Sequence, residues 1–274
     1  MSLYRDMDRS ALDAAYDNSA AVANSGELLA DFEARSARLR AARPEHLDLR
    51  YGTAERNRID YFAASAPGPL LVFIHGGYWQ MRRKETFSFL AEGPLAHGIH
   101  VAMAGYTLAP EKSLAGIVDE IRSALNWLAR HAADYGGDPQ RILVSGWSAG
   151  GHLAALMLDA PVIRAGLAIS GIFDLEPVRL NYLNAKLGLD TAEARRLSPL
   201  FNLPARSAPL ILACGGGELP ELQRQSADCA AARVLAGLPG RLVRLPHLNH
   251  FTILEELARP AGQLTALVRE LAAA

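Results

Sequence analysis

The stretch Ile142-Leu143-Val144-Ser145-Gly146-Trp147-Ser148-Ala149-Gly150-Gly151-His152-Leu153-Ala154-Ala155-Leu156-Met157-Leu158 runs from an apolar segment through Gly-x-Ser-x-Gly into a helix-like segment. A serine on a strand-to-helix turn of this kind is a nucleophile elbow. The turn is so tight that a Cβ at either flanking position would meet the neighbouring strand or helix, so both are glycine. Its strain lifts the Ser148 hydroxyl clear of the sheet, within reach of a base. The five-residue pattern alone discriminates weakly, since a random chain of this composition would show about 0.1 such matches. Its weight comes from its place between a strand and a helix.

Upstream, Pro69-Leu70-Leu71-Val72-Phe73-Ile74 is a continuous apolar run of the kind a fully buried parallel strand needs, and His75-Gly76-Gly77-Tyr78-Trp79 follows it. Two glycines after a strand let backbone N–H groups turn into a cavity. With the N–H of Ala149, those of Gly76 and Gly77 would form an oxyanion hole.

Working outward, residues 8–42 show helical periodicity and precede the first strands, an N-terminal extension outside the sheet. Leu47-Leu49-Tyr51 and Ile59-Tyr61 alternate at period two across a Gly-containing turn, an antiparallel hairpin at a sheet edge. Strand and helix then alternate. Ile99–Met103 reads as a strand, and Leu114, Ile117, Val118, Ile121, Leu125 and Leu128 recur on one helical face. Gly136-Gly137-Asp138-Pro139 breaks the chain before the elbow strand. Strands follow at 162–169, 210–213 and 241–245, then a C-terminal helix from about Thr252. This order predicts one α/β domain over 1–274, a mostly parallel central sheet with helices on both faces. Between Gly171 and Ala208 the alternation lapses for too long to be a bare loop. Residues 172–208 are therefore expected as a small helical lid over the carboxyl ends of the strands, joined there by the extension.

An activated serine needs a base to take its proton and a third group to orient that base. On a sheet of this order the acid should follow the strand after the insertion, and the histidine the final strand. Glu218, after Cys214-Gly215-Gly216-Gly217, occupies the first place; Glu221 is its rival, expected in the first turn of the next helix. His250, just before the C-terminal helix, occupies the second; His247 competes from the strand end. His152 is expected to face backbone or solvent. No His-Glu-x-x-His or paired-Cys spacing exists, so neither a metal nor a cofactor is expected.

The bulk numbers bound the rest. The 274 residues are 50% hydrophobic, with a net charge of −1 and a pI near 6.7. No basic stripe recommends nucleic acid, and Arg82-Arg83-Lys84 reads as a solvated loop. No run of about 18 uncharged apolar residues suggests a membrane span. Met1 to Asp8 carries acids and no apolar core, so no secretory signal is expected. The two cysteines, Cys214 and Cys229, fit a reduced, cytoplasmic setting. Cys214 reads as a small buried hydrophobe. The oligomeric state is open.

His75-Gly76-Gly77-Tyr78-Trp79 resembles the H-G-G-x-W of the arylformamidase (kynurenine formamidase) branch of the α/β-hydrolases, related to the hormone-sensitive-lipase-like esterases. Glu218-Leu219-Pro220-Glu221-Leu222-Gln223-Arg224-Gln225-Ser226 resembles the branch's acid segment, D-S-P-E-F-x-R-Q-S, and aligns Glu218 with its aspartate. Asn249-His250-Phe251-Thr252-Ile253-Leu254 and Ser170-Gly171-Ile172-Phe173-Asp174-Leu175-Glu176-Pro177 are similar to further segments, so the likeness runs from about residue 8 to the end. Trp147 departs from the usual G-H-S-A-G, and Glu218 is one methylene longer than aspartate. The resemblance implies a metal-free serine hydrolase of the α/β-hydrolase fold. It would cleave an aryl formamide such as N-formylkynurenine through an acyl-enzyme, with Ser148, Glu218 and His250 as its triad. A formyl group is small, so Tyr78, Trp79 or Trp147 would close the acyl side of the pocket. A short-acyl carboxylesterase is the alternative. A non-catalytic ligand receptor on the same fold is the remote alternative and predicts slow or absent turnover despite a formed pocket; a structural or partner-binding role would not need Ser, acid and His in that order.

Overall fold

Every residue of strand β3 (Gly68–Ile74) is buried, as its unbroken apolar run requires. Leu70, Val72 and Ile74 enter one core while Leu71 and Phe73 enter another, on opposite faces of the sheet. Each such side chain, fully buried, contributes about 1.5–3 kcal/mol. β3 sits near the middle of eight strands in a computed structural model that describes residues 2–274. Met1, the first residue of the N-terminal stretch read above, lies outside them. The other strands are β1 (Leu49–Arg50), β2 (Arg58–Phe62), β4 (His100–Ala104), β5 (Gly137–Trp147), β6 (Ile163–Ile169), β7 (Leu210–Gly215) and β8 (Gly240–Leu245). Their order is β1-β2-β4-β3-β5-β6-β7-β8.

The hairpin is at the expected edge, with Leu49 opposite Ile59, and β2 runs antiparallel to β4. All remaining neighbours are parallel. The helix Leu114–His131 starts at Ser113, whose hydroxyl accepts from Gly116 N at 3.2 Å. It buries Leu114, Ile117, Ile121, Leu125 and Leu128. The Gly136-Gly137 break is a turn at Gly136 (φ +85°) followed at once by β5, whose pairing with β3 slips between Gly68 and Leu70. The C-terminal helix is interrupted. A short turn at Thr252–Leu254 and the helix Glu255–Ala258 end before Pro260, and Gln263–Ala273 follows.

The extension divides into two parts. Helix Ser25–Ala42 packs on the short helical segment Lys84–Ala91, with Phe32 stacked on Phe89 at 4.6 Å and Ser36 Oγ bonded to Thr86 O. The segment before it, with helix Arg9–Ala14, reaches the insertion instead. Tyr182 N donates to Asp13 Oδ1 at 3.0 Å. The insertion carries three short helices, Glu176–Arg179, Asn184–Leu187 and Thr191–Arg196.

Arg82-Arg83-Lys84 is only partly the solvated loop expected, with Arg83 exposed and Arg82 half-buried. Lys84 is buried, and its Nζ bonds Asp60, Asp48 and Glu85, each at 2.7 Å. Asp60 points inward from β2 and also pairs with Arg40. Burial pushes the Asp48 and Glu85 carboxyls up, and Lys84 together with Arg40 more than reverses it, leaving both below the ordinary carboxylate value. A run of three cations is visible in the sequence; the inward-facing carboxylate on another strand is not.

Candidate active site

β5 ends at Trp147 and the helix Ala149–Leu156 begins two residues later, so the whole turn is Ser148. Its backbone sits at φ +58°, ψ −119°, a region where a non-glycine residue costs about 1–3 kcal/mol. Ser148 N donates to Ile169 O at 2.8 Å and anchors the turn on β6. The flanking glycines have no alternative. A Cβ on Gly146 would lie 2.2 Å from Gly150 O, and one on Gly150 would lie 2.0 Å from Ile74 O.

The loop after β3 lies against this elbow, since a Cβ on Gly76 would come within 3.1 Å of Ser148 Cβ. Gly77, Tyr78 and Trp79 follow with φ of +118°, +49° and +59°. The N–H groups of Gly76, Gly77 and Ala149 find no acceptor among the hydrogen bonds of the described residues. His75 braces the loop. Its ring stacks on Tyr106 at 4.3 Å, and its Nδ1 donates to Gly76 O at 2.8 Å. Burial lowers its pKa to about 4, so the ring is neutral at neutral pH.

Glu218 lies in the turn after β7 and His250 in the loop after β8. The two side chains meet, with Nδ1 of His250 3.3 Å from Oε2 of Glu218, and both are buried. The His250 loop is stiffened locally: Asn249 Oδ1 accepts from Phe251 N and Thr252 N, and Asn249 N donates to Thr252 Oγ1. Trp147 adds a tether from the elbow. Its Nε1 donates to His250 O at 2.8 Å, and its ring packs on the imidazole at 4.7 Å. The tryptophan that departs from G-H-S-A-G thus braces the histidine loop.

The competing residues are engaged elsewhere. Glu221 stands in the first turn of helix Pro220–Leu235, as its position after Pro220 suggests, but it is buried rather than a surface carboxylate. It accepts from Arg224 and from the hydroxyl of Tyr16 at 3.1 Å. His247 is exposed on the loop. His152 is buried with Nε2 on Leu197 O at 2.8 Å, and burial lowers its pKa to about 4. Cys214 is buried, and burial pushes its thiol up to about 11.

Of the three aromatic residues expected to close the pocket, Trp79 is wholly buried, edge-on to His152 at 4.9 Å. Trp147 is also buried, among Phe87, His250 and Phe251. Tyr78 keeps partial exposure, and its hydroxyl donates to Tyr16 O and accepts from Asn18 Nδ2 at 2.7 Å. The N-terminal segment therefore grips the loop beside the elbow. Nothing in the sequence marked Tyr16 or Asn18, because each acts through a partner remote in the chain.

Among the described residues, no group of three or more His, Cys, Asp or Glu is arranged to hold a metal ion, and no helix is long and apolar enough to cross a membrane. The BD-FAE family matches residues 61–160, from β2 through the elbow helix. The chain is similar to kynurenine formamidases of Danio rerio, 29% identical over 85% of this chain and 84% of that protein, and of Salmo salar, 30% identical over 82% and 81%. A solved structure described as a candidate thioesterase of Silicibacter sp. TM1040 is 32% identical, covers 94% of this chain and 98% of its own, and superposes with a TM-score of 0.85.

Proposed function

The chain belongs to the arylformamidase (kynurenine formamidase)-like branch of the α/β-hydrolases, and from that membership we propose that it is a serine hydrolase that cleaves a small aryl formamide through an acyl-enzyme. One observation carries the reading. A serine held at positive φ on the elbow is joined, through Trp147, to a buried imidazole–carboxylate pair. In this mechanism Ser148 Oγ attacks the carbonyl carbon while His250 accepts the hydroxyl proton. Glu218 holds the imidazole through Nδ1 and stabilises its charged form. The oxyanion develops against the N–H groups of Gly76, Gly77 and Ala149, and each such donor is worth about 2.7–4 kcal/mol of transition-state stabilisation. His250 then protonates the leaving amine. Water, deprotonated by the same imidazole, releases the acyl group and restores Ser148.

The amide named for the Danio rerio and Salmo salar proteins supports N-formylkynurenine as the first substrate to try. In the same reading residues 172–208, with the N-terminal segment bonded to them, act as a lid within one domain. The near-complete burial of Ser148 and His250 supports this. A short-acyl carboxylesterase is the second reading, favoured by the thioesterase description of the Silicibacter structure. The test is kcat/KM for N-formylkynurenine beside p-nitrophenyl formate, acetate and butyrate. The proposal expects the formyl substrates to lead. Faster turnover of acetate and butyrate with no cleavage of the formamide would replace it with the esterase reading.

A further inference from the structure

Glu218 is longer than the aspartate of the related acid segment, and something must hold its extra torsion. Carboxylate torsions of this kind are broad, with no staggered well to fix them. A glutamate bonded only through Oε2 would swing its second oxygen freely and carry the first off the imidazole. In this chain the second oxygen is occupied. Oε1 of Glu218 accepts from Ser170 Oγ at 2.6 Å and from Gly215 N at 2.5 Å, leaving Oε2 to His250. Neither donor is a cation and neither titrates near neutral pH.

Ser170 is itself an anomaly. It follows directly on β6 at φ +51°, wholly buried, with its N–H on Ala213 O at 2.7 Å. Left-handed backbone suits glycine, and a serine there is strained. The hydroxyl is what a glycine could not supply, and it is aimed at the acid. Resting on the reading of Glu218 as the acid, we propose that Ser170 is a positioning residue, whose hydroxyl locks the Glu218 carboxylate in the rotation that presents Oε2 to His250.

Ser170→Gly separates this role from a structural one, because it removes the strain and the hydroxyl together. The expected result is a kcat lower by up to about a hundredfold, with KM unchanged and a melting temperature equal to or above that of the unaltered protein. A double-mutant cycle gives the second readout. If Ser170 acts through the carboxylate, Ser170→Gly costs nothing further in a Glu218→Gln background. Should the glycine variant fold poorly, Ser170→Ala is carried through the same cycle. Unchanged kcat in the folded variant would overturn the proposal, as would an equal loss in the presence and absence of the Glu218 carboxylate. Full activity of Glu218→Gln alone would overturn it differently, by removing Glu218 as the acid.

Discussion

Two of the buried carboxylates in this molecule do opposite things with their charge. Asp60, under the antiparallel edge, pairs with the basic side chains of Lys84 and Arg40. Glu218, at the carboxyl ends of the parallel strands, bonds no Lys or Arg among the described residues. Its partners are a hydroxyl, a backbone N–H and the imidazole of His250. A fixed cation locks a buried carboxylate and gives it one state. Neutral donors with one titratable partner keep the carboxylate in place while a proton comes and goes beside it. The first arrangement serves the fold; the second, in the proposed mechanism, serves chemistry. Glu221 lies between them, because it is buried against Arg224 only three residues from Glu218.

The widest separation is expected from Glu218→Gln. Without the carboxylate, His250 is free to take the wrong tautomer. The corresponding change in trypsin, a worked case of this triad logic, lowered kcat by about 10⁴. Steady-state kinetics on the folded variant checks this, with a melting temperature within a few degrees of the parent. Lys84→Met should behave in reverse. Breaking a buried pair by removing one partner costs about 3–5 kcal/mol, so its denaturant midpoint should fall sharply while kcat per folded molecule stays unchanged. A catalytic loss in that variant would erase the contrast. Glu221→Gln should cost about 1–3 kcal/mol of stability, more than an exposed first-turn carboxylate contributes, with little effect on rate. If Glu221→Gln is instead the inactive variant, the acid is misassigned by three residues.

Acid titration sharpens the same comparison. His75 and His152 have folded pKa values lowered to about 4 by burial, against about 6.5 in an unfolded chain. The neutral ring is favoured on folding. Stability is therefore complete above pH 6.5 and is lost as pH falls from 6.5 towards 4, on the order of 3 kcal/mol for each ring. Melting temperature measured between pH 7.5 and 4.5 should decline across that window; a flat profile would contradict the burial assigned to both rings. Since neither ring titrates in the folded protein above about pH 4, a loss of activity between pH 8 and 5 belongs elsewhere in the site. The smallest effect is expected from Trp147→Phe. It removes one hydrogen bond to the His250 carbonyl, about 1 kcal/mol, and should lower kcat a few-fold with KM unchanged.

The parts of this arrangement legible in the sequence are those written in short contiguous segments. The elbow requires Gly146 and Gly150 within two residues of Ser148. The apolar run of β3 leads directly into Gly76 and Gly77. Glu218 and His250 follow their strands in the expected order. What was illegible depends on pairing across the chain. Ser170 meets Glu218 from 48 residues away, Lys84 meets Asp60 from 24, and Tyr78 meets Tyr16 from 62. Local composition carries no record of such partners, so Lys84 reads in the sequence as one of three surface cations. The interrupted C-terminal helix is a different case, because Pro260 stands in the sequence and the helical pattern was extended across it.

The central claim is that Ser148 is the nucleophile of a covalent mechanism. Incubation with a fluorophosphonate probe, followed by intact-mass measurement and peptide mapping, tests it most directly. The account predicts one adduct per chain, located on Ser148, loss of activity in step with labelling, and no adduct on Ser148→Ala, whose kcat should fall by about 10⁶ as in the comparable subtilisin case. An adduct on another residue, or a Ser148→Ala variant that still labels and turns over, would contradict it.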